Sequence, residues 1–190
     1  MTVEEIIKTA CMYLNKYEDY EKFSSGQTSN ETEELSRDFE KLLCAINNIN
    51  KKIADNLNLF KFNEIVNVID NKIIYKNLSK KCKSIKKITD VKSNKRISFK
   101  SFDEYALLNF KGSINVEYVY YPEDKKELKE EINLKGINKR TFVLGVISEY
   151  CFMVGLFDDG EIWEKRFLQE LRKEENLHNS IILPSRKWGI

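Results

Sequence analysis

One histidine, two prolines, seven glycines and four cysteines in 190 residues leave few of the groups from which common active sites are assembled. Zinc sites take four Cys or His ligands at short spacings. Cys11, Cys44, Cys82 and Cys151 lie far apart with no Cys-x-x-Cys pair, and His178 stands alone near the end of a helical stretch. There is no Gly-x-x-x-x-Gly-Lys-Ser/Thr or Gly-x-Gly-x-x-Gly run to cradle phosphate, and no Gly-x-Ser-x-Gly elbow to present a serine nucleophile. The carboxylate pairs Glu130-Glu131, Asp158-Asp159 and Glu174-Glu175 are neighbours in sequence. Adjacent helical residues point in different directions, so we expect these pairs at solvated helix ends. No catalytic, cofactor-binding or metal site is expected, and the chain is not expected to be an enzyme.

Long apolar runs are also missing. None approaches the roughly 20 residues of a membrane-spanning helix. Met1-Thr2-Val3-Glu4-Glu5 has no cationic stretch followed by an apolar one, so no secretory leader is expected. We expect a soluble chain made in the cytoplasm, with no membrane partner and with reduced, mostly buried thiols.

What the chain has in quantity is charge and helical apolar periodicity. Lys and Arg total 32 against 30 Asp and Glu, and 42% of residues are hydrophobic, enough for a core. The charge is unevenly spread. Residues 1–60 carry 7 basic and 11 acidic groups, residues 61–121 carry 13 and 6, and residues 122–190 carry 12 and 13. The middle third therefore differs from its flanks. Its strongest cluster is Lys76, Lys80, Lys81, Lys83, Lys86 and Lys87, read either as a solvated face or as an electrostatic contact for an acidic protein surface or passing DNA. With only Lys and no interleaved aromatics, the cluster is not expected to read base sequence.

Thr2 and Glu5 make a capping box, and Val3, Ile6, Ile7, Ala10 and Leu14 form a helical stripe to about Tyr17. Ser24 to Asn30 has the composition of an exposed loop. A longer helix is predicted from about Glu31 to Asn56, with Leu35, Phe39, Leu42, Leu43, Ile46, Ile49, Ile53 and Leu57 three or four apart. The period then falls to 2. Glu64 to Ile69 and Lys72 to Lys76 flank a predicted hairpin turn at Asp70-Asn71. Ser84 to Thr89, Ile97 to Phe99 and Ile114 to Tyr121 complete a small antiparallel sheet or barrel of four to six strands. Residues 122–131 read as a solvated, charged connection.

A third helix is predicted from about Asn138 to Val154, with Gly155 at its C-cap. Asp158 or Asp159 caps a fourth helix whose apolar face is Ile162, Trp163, Phe167 and Leu171, with Trp163 in the core. The expected fold is α+β: a four-helix bundle from residues 1–60 and 132–178, an inserted β domain over 61–121, and an extended tail over 179–190. That tail is apolar enough to dock.

The order helices, β insert, helices, tail resembles the head-to-tail adaptor (connector) proteins of tailed bacteriophages, of the tail tubular protein A type. The similarity is most specific in Glu149-Tyr150-Cys151-Phe152-Met153-Val154-Gly155-Leu156-Phe157-Asp158, then Glu161-Ile162-Trp163-Glu164-Lys165-Arg166-Phe167 and Leu171. The resemblance implies a structural virion protein at the phage neck, assembled in the host cytoplasm. It would form a homo-oligomeric ring, commonly of twelve copies, between the portal and the next neck or tail protein. Double-stranded DNA would pass through the ring without sequence-specific contact. The resemblance assigns portal binding to Ile181, Ile182, Leu183, Arg186, Lys187 and Trp188. Alternatives are a tail-completion or stopper protein, and a nucleic-acid-binding accessory protein using Lys76 to Lys87.

Overall fold

The computed structural model describes residues 1–25, 32–57, 59–133 and 136–179. The chain divides into two compact units, Met1–Ile49 with Lys125–Ile190, and Asn50–Asp124. Among the described residues no helix is long and apolar enough to cross a membrane.

The first unit starts with α1 (Val3–Tyr13), whose N-terminus carries the expected capping box. The Thr2 hydroxyl accepts from the Glu5 amide at 3.2 Å, and the Glu5 carboxylate accepts from the Thr2 amide at 3.1 Å. The helix does not continue to Tyr17. Asn15 adopts φ +55°, its amide bonds the Met12 carbonyl, and the Lys16 amide bonds the Cys11 carbonyl. Those paired bonds are a Schellman C-cap, which Asn can occupy in place of Gly. A separate helix follows, α2 (Tyr17–Ser24), then α3 (Thr32–Asn56), whose residues from Asn50 on belong to the second unit, and then α4 (Lys139–Met153) and α5 (Phe157–Asn179).

The expected four-helix bundle is therefore wrong. The protein is α+β, but it has five helices among the described residues. The stop at Asn15 was hidden because the apolar spacing runs through it. Within this unit α4 packs against both α1 and α5. It is buried almost all round, Thr141, Leu144, Gly145, Ser148 and Cys151 included, rather than along one stripe. From α3, Asn48 donates to the Glu149 carboxylate at 3.0 Å, and the Phe39 ring stacks on Phe23 of α2 at 4.0 Å.

The turn between α4 and α5 is a second Schellman cap. Gly155 has φ +83°, its amide bonds the Phe152 carbonyl, and the Leu156 amide bonds the Cys151 carbonyl. Asp158 and Asp159 lie in the first turn of α5 and do not precede it. They still favour the positive end of the helix dipole. Trp163 is half-buried at the core margin, edge-on to Tyr13 at 6.0 Å with the Arg166 guanidinium 4.8 Å from its ring, and Ile162 is exposed. The expected core assignment holds for Phe167 and Leu171 but not for these two.

Residues 122–131 are exposed or half-buried, but from Lys125 on the run is tied by hydrogen bonds rather than left as a free connection. The Lys125 amide and carbonyl pair with the Asn47 side chain at 2.7 and 2.9 Å. The Val3 and Glu4 amides bond the Glu130 and Leu128 carbonyls, each at 2.9 Å, and Ile132 is buried. The Glu130 carboxylate folds back onto the Lys126 and Glu127 amides at 2.8 and 3.0 Å, bonds that hold it below the usual carboxylate range. The run is charged because it uses its charges locally, and composition alone cannot show that. Glu174 leaves the solvated role. Its carboxylate accepts from the Asn138 amide at 3.1 Å and the Thr141 hydroxyl at 2.6 Å, placing an acid at the N-terminus of α4.

The second unit holds β1 (Lys61–Val68), β2 (Lys72–Ile74), β3 (Cys82–Asp90), β4 (Phe99–Ser101), β5 (Tyr105–Leu108) and β6 (Gly112–Tyr120). They form two antiparallel three-stranded sheets, ordered β1-β6-β3 and β2-β5-β4, not one sheet or barrel. Val68, Ile88, Val116 and Tyr118 of the first sheet and Ile73, Ala106 and Leu108 of the second belong to one buried cluster. The expected β1–β2 hairpin does not form. β1 pairs with β6, and β2 with β5. A type I′ hairpin turn needs positive φ at both central residues, and here Asn71 has φ +57° while Asp70 does not. The chain instead crosses from one sheet to the other.

Candidate functional site

The lysine cluster begins at a tight turn and continues along β3. Ile85 and Ile88 are both buried although they are three residues apart, a spacing that strict alternation cannot satisfy. A bulge between them resolves the conflict, and another precedes Ile85. The register against β6 slips between Cys82 and Ser84 and again between Ile85 and Lys87, leaving Lys83 and Lys86 as the extra residues. Lys86 and Lys87 consequently both face solvent.

The six lysines divide by what they touch. Lys76, Lys81, Lys86 and Lys87 are exposed. Lys80 is half-buried, its ammonium 4.8 Å from the Tyr120 ring centre and 5.4 Å from that of Phe62. Lys81 lies 5.7 Å from the Tyr121 ring. Lys83 donates to the Ala54 and Asp55 carbonyls at 2.9 and 2.7 Å. These are the last carbonyls of α3, where a cation is favoured by the helix dipole. The aromatics that sequence reading found absent along the chain are thus supplied across the sheet, by β1 and by the end of β6. Only their pairing, which a linear reading does not contain, brings them to the lysines.

The turn that carries Lys80 and Lys81 is held from below. Glu64 on β1 accepts hydrogen bonds from the Ser79 hydroxyl, the Ser79 amide at 3.1 Å and the Tyr118 hydroxyl at 2.9 Å. The Tyr118 oxygen accepts in turn from the Lys80 amide at 3.2 Å. Burial, followed by its bond to Glu64, pushes the Tyr118 hydroxyl up to about 12. It therefore stays protonated at neutral pH and serves as an anchor. Tyr118→Phe is expected to lower stability by about 1–2 kcal/mol, because the Lys80 amide and Glu64 each lose a partner. Urea denaturation of the two proteins measures that difference. Beside the turn lies a cleft of about 450 Å³ lined by Lys76, Lys80 and Lys81 but also by Asp103 and Glu104. Its charges oppose one another, so it does not cradle an anion.

A second polar cluster, in the helical unit, has no sequence signature. The Lys16 ammonium sits 2.6 Å from Asp38 Oδ2 and donates to the Tyr150 hydroxyl oxygen at 2.9 Å. The Tyr150 hydroxyl donates to Asp38 Oδ2 at 3.0 Å, and Lys41 lies 3.3 Å from Asp38 Oδ1. Burial pushes the Asp38 carboxyl up, but the hydrogen bond and charge of Lys16 outweigh it and hold Asp38 below the ordinary range. Burial pushes Lys16 down, and its bonds to Asp38 and Tyr150 outweigh that, so its value is raised. Three segments far apart in sequence meet here.

Three of the four thiols are held from reaction by burial. Burial pushes both Cys11 and Cys82 up to about 11 and raises Cys151 as well, whereas Cys44 is exposed. Among the described residues no group of three or more His, Cys, Asp or Glu side chains could hold a metal ion. His178 falls in the last turn of α5. Ile181, Ile182, Leu183, Arg186, Lys187 and Trp188 lie outside the described residues, as does most of the Ser24 to Asn30 loop. No protein-family profile matches the chain, and no curated protein is found to be related to it.

Proposed function

We propose that the chain is a structural virion protein of the phage neck, forming a ring that joins the portal to the tail and lets DNA pass. The observation that carries this reading is the α4–α5 hairpin. The residues most similar to head-to-tail adaptors, Glu149 to Asp158, Glu161 to Phe167 and Leu171, lie on one continuous corner in which a buried helix is turned by Gly155 into a second helix. Around this corner the protein exposes apolar groups of a size that an isolated soluble unit normally covers. Phe157 is 64% exposed, Leu156 and Ile162 are 49% exposed, and Met12 and Tyr13 are also open. Such groups fit subunit contacts multiplied around a ring. Ile181, Ile182, Leu183, Arg186, Lys187 and Trp188 would attach each subunit to the portal, with Trp188 as the aromatic anchor. Lys76, Lys86 and Lys87, which project freely, suit a sequence-independent contact with passing DNA or an acidic neighbour.

The test is co-expression with the portal of the same phage, followed by sedimentation and imaging. A ring bound to the portal is the expected product, and a chain that never co-sediments with portal would overturn the reading. Removing residues 183–190 is expected to weaken co-sedimentation about 30-fold or more, since one buried aromatic hot spot carries about 2 kcal/mol. Unchanged docking would exclude those residues as the anchor. A ring found one position further from the capsid would favour the stopper or tail-completion role.

A further inference from the structure

The sheet β1-β6-β3 has two edges, and they are built differently. The β3 edge is closed to further pairing. Its near end is broken by the bulges at Lys83 and Lys86, and residues 95–97 lie along its far end, with the Ile97 amide on the Ile88 carbonyl and the Asp90 amide on the Lys95 carbonyl, both at 2.9 Å. Among the described residues β1 has none of these protections. Its eight residues run in unbroken register with β6 and contain no bulge and no proline. Proteins ordinarily blunt a long regular edge, because its free amides and carbonyls recruit another strand.

The parity of the ladder shows which groups β1 leaves open. The Tyr120 amide bonds the Phe60 carbonyl at 2.9 Å, so residues 60, 62, 64, 66 and 68 direct their backbone groups toward β6. The Val91 amide on Ser113 and the Tyr121 amide on Lys81 give the same parity from the other side of β6. Asn63, Ile65 and Asn67 therefore point their amides and carbonyls outward. All three side chains are exposed, Ile65 by 69%, and Ile69 just beyond the strand by 70%.

We propose that this edge pairs with the same edge of a second copy of the chain, antiparallel about a two-fold axis through Ile65. Three adjacent two-fold registers would use the outward groups. Centring on Glu64 sets two carboxylates face to face, and like charges directly opposite are destabilising. Centring on Val66 sets Ile65 against an asparagine and Asn63 against Ile69. Centring on Ile65 sets isoleucine on isoleucine and Asn63 on Asn67, so the middle of the exposed face is matched as in neither other register, with Glu64 on valine and Lys61 on Ile69 beside it. Two three-stranded sheets become one of six strands. The pairing goes beyond the neck reading and does not rest on it. A two-fold contact cannot repeat around a polar ring, so such a dimer is a form of the free chain that opens before any ring closes.

The experiment uses the full chain. Sedimentation equilibrium is expected to show a monomer–dimer equilibrium. The amides of Asn63, Ile65 and Asn67 are expected to exchange with deuterium at least about tenfold more slowly once the dimer predominates. Ile65→Pro is expected to abolish the dimer while sparing the β1–β6 ladder, which does not use that amide. Ile65→Lys keeps the backbone and opposes two ammonium groups across the axis, so the same loss is expected without a proline. A monomer at every concentration overturns the proposal, as does a dimer that survives both substitutions. Protection that is independent of concentration and disappears on removal of residues 180–190 also overturns it, because the chain's own terminal segment would then occupy the edge.

Discussion

Phe167→Ala is expected to destabilise the helical unit by about 3–5 kcal/mol, a large part of the 5–15 kcal/mol that holds a typical domain. Phe167 is fully buried on α5, and its ring packs where α4 comes closest. A Cβ on Gly145 would stand 3.0 Å from two atoms of that ring and 3.1 Å from the Ile49 side chain, so glycine at this point of α4 lets the helices meet around the phenyl group. Deleting the ring leaves a void against a residue that has no side chain to collapse into it, which places the loss toward the upper end of the range. Adding Gly145→Ala supplies the coupling test. In the native background the new methyl crowds the ring, offsetting the roughly 1 kcal/mol that alanine contributes over glycine within a helix. In the Phe167→Ala background the ring's crowding is gone and only the Ile49 contact at 3.1 Å remains, so the same change should stabilise by up to about 1 kcal/mol. The two substitutions are therefore expected to be non-additive. Urea denaturation of the four proteins measures this, and a loss below about 1 kcal/mol for Phe167→Ala would remove Phe167 as the centre of the packing.

The helical stripes were legible from the sequence because burial has a period. Val3, Ile6, Ile7 and Ala10, then Phe39, Leu42, Ile46, Ile49 and Ile53, are all buried as their spacing predicts. What the spacing could not reveal was where a helix stops while its apolar pattern continues. Asn15 takes a conformation that most side chains disfavour, and nothing in the neighbouring apolar pattern marks it. Strand pairing was hidden for a related reason. Asp70-Asn71 has turn composition, but composition does not say whether the turn returns a strand alongside itself or, as here, sends it to another sheet. Bulges are less visible still. Ile85 and Ile88 break the period of 2, and only the β6 register shows that Lys86 absorbs the extra residue. The lysine cluster is visible as composition, but its division into lysines resting on rings or carbonyls and lysines left free comes from the pairing of β6 with β1 and β3 and from the end of α3. Lys16, Asp38 and Tyr150 were out of reach altogether, since each is unremarkable in its own segment.

That last group carries the second large expectation. Asp38→Ala should lower stability at neutral pH by about 1.5–3 kcal/mol, the range for hydrogen bonds to charged groups. The lower half is favoured because the Lys16 side chain remains 36% exposed, so water partly screens the ammonium left behind. Lys16→Met should cost less, because Asp38 keeps Tyr150 and Lys41 as partners. The pH dependence separates this network from simple packing loss. Asp38 has a lowered value in the folded protein, so its contribution is present above the ordinary carboxylate value of about 4 and is lost as pH falls through the lowered one. Lys16 has a raised value, so its contribution is present below the ordinary lysine value of about 10.4 and is lost as pH rises through the raised one. The gap in stability between the native chain and Asp38→Ala should therefore stay level from about pH 5 to 9 and narrow in acid. Urea midpoints for the two proteins across that span and below pH 4 provide the measurement. A gap that persists undiminished in acid would mean that Asp38 acts through shape rather than charge, and the three-segment junction would then be held by packing alone.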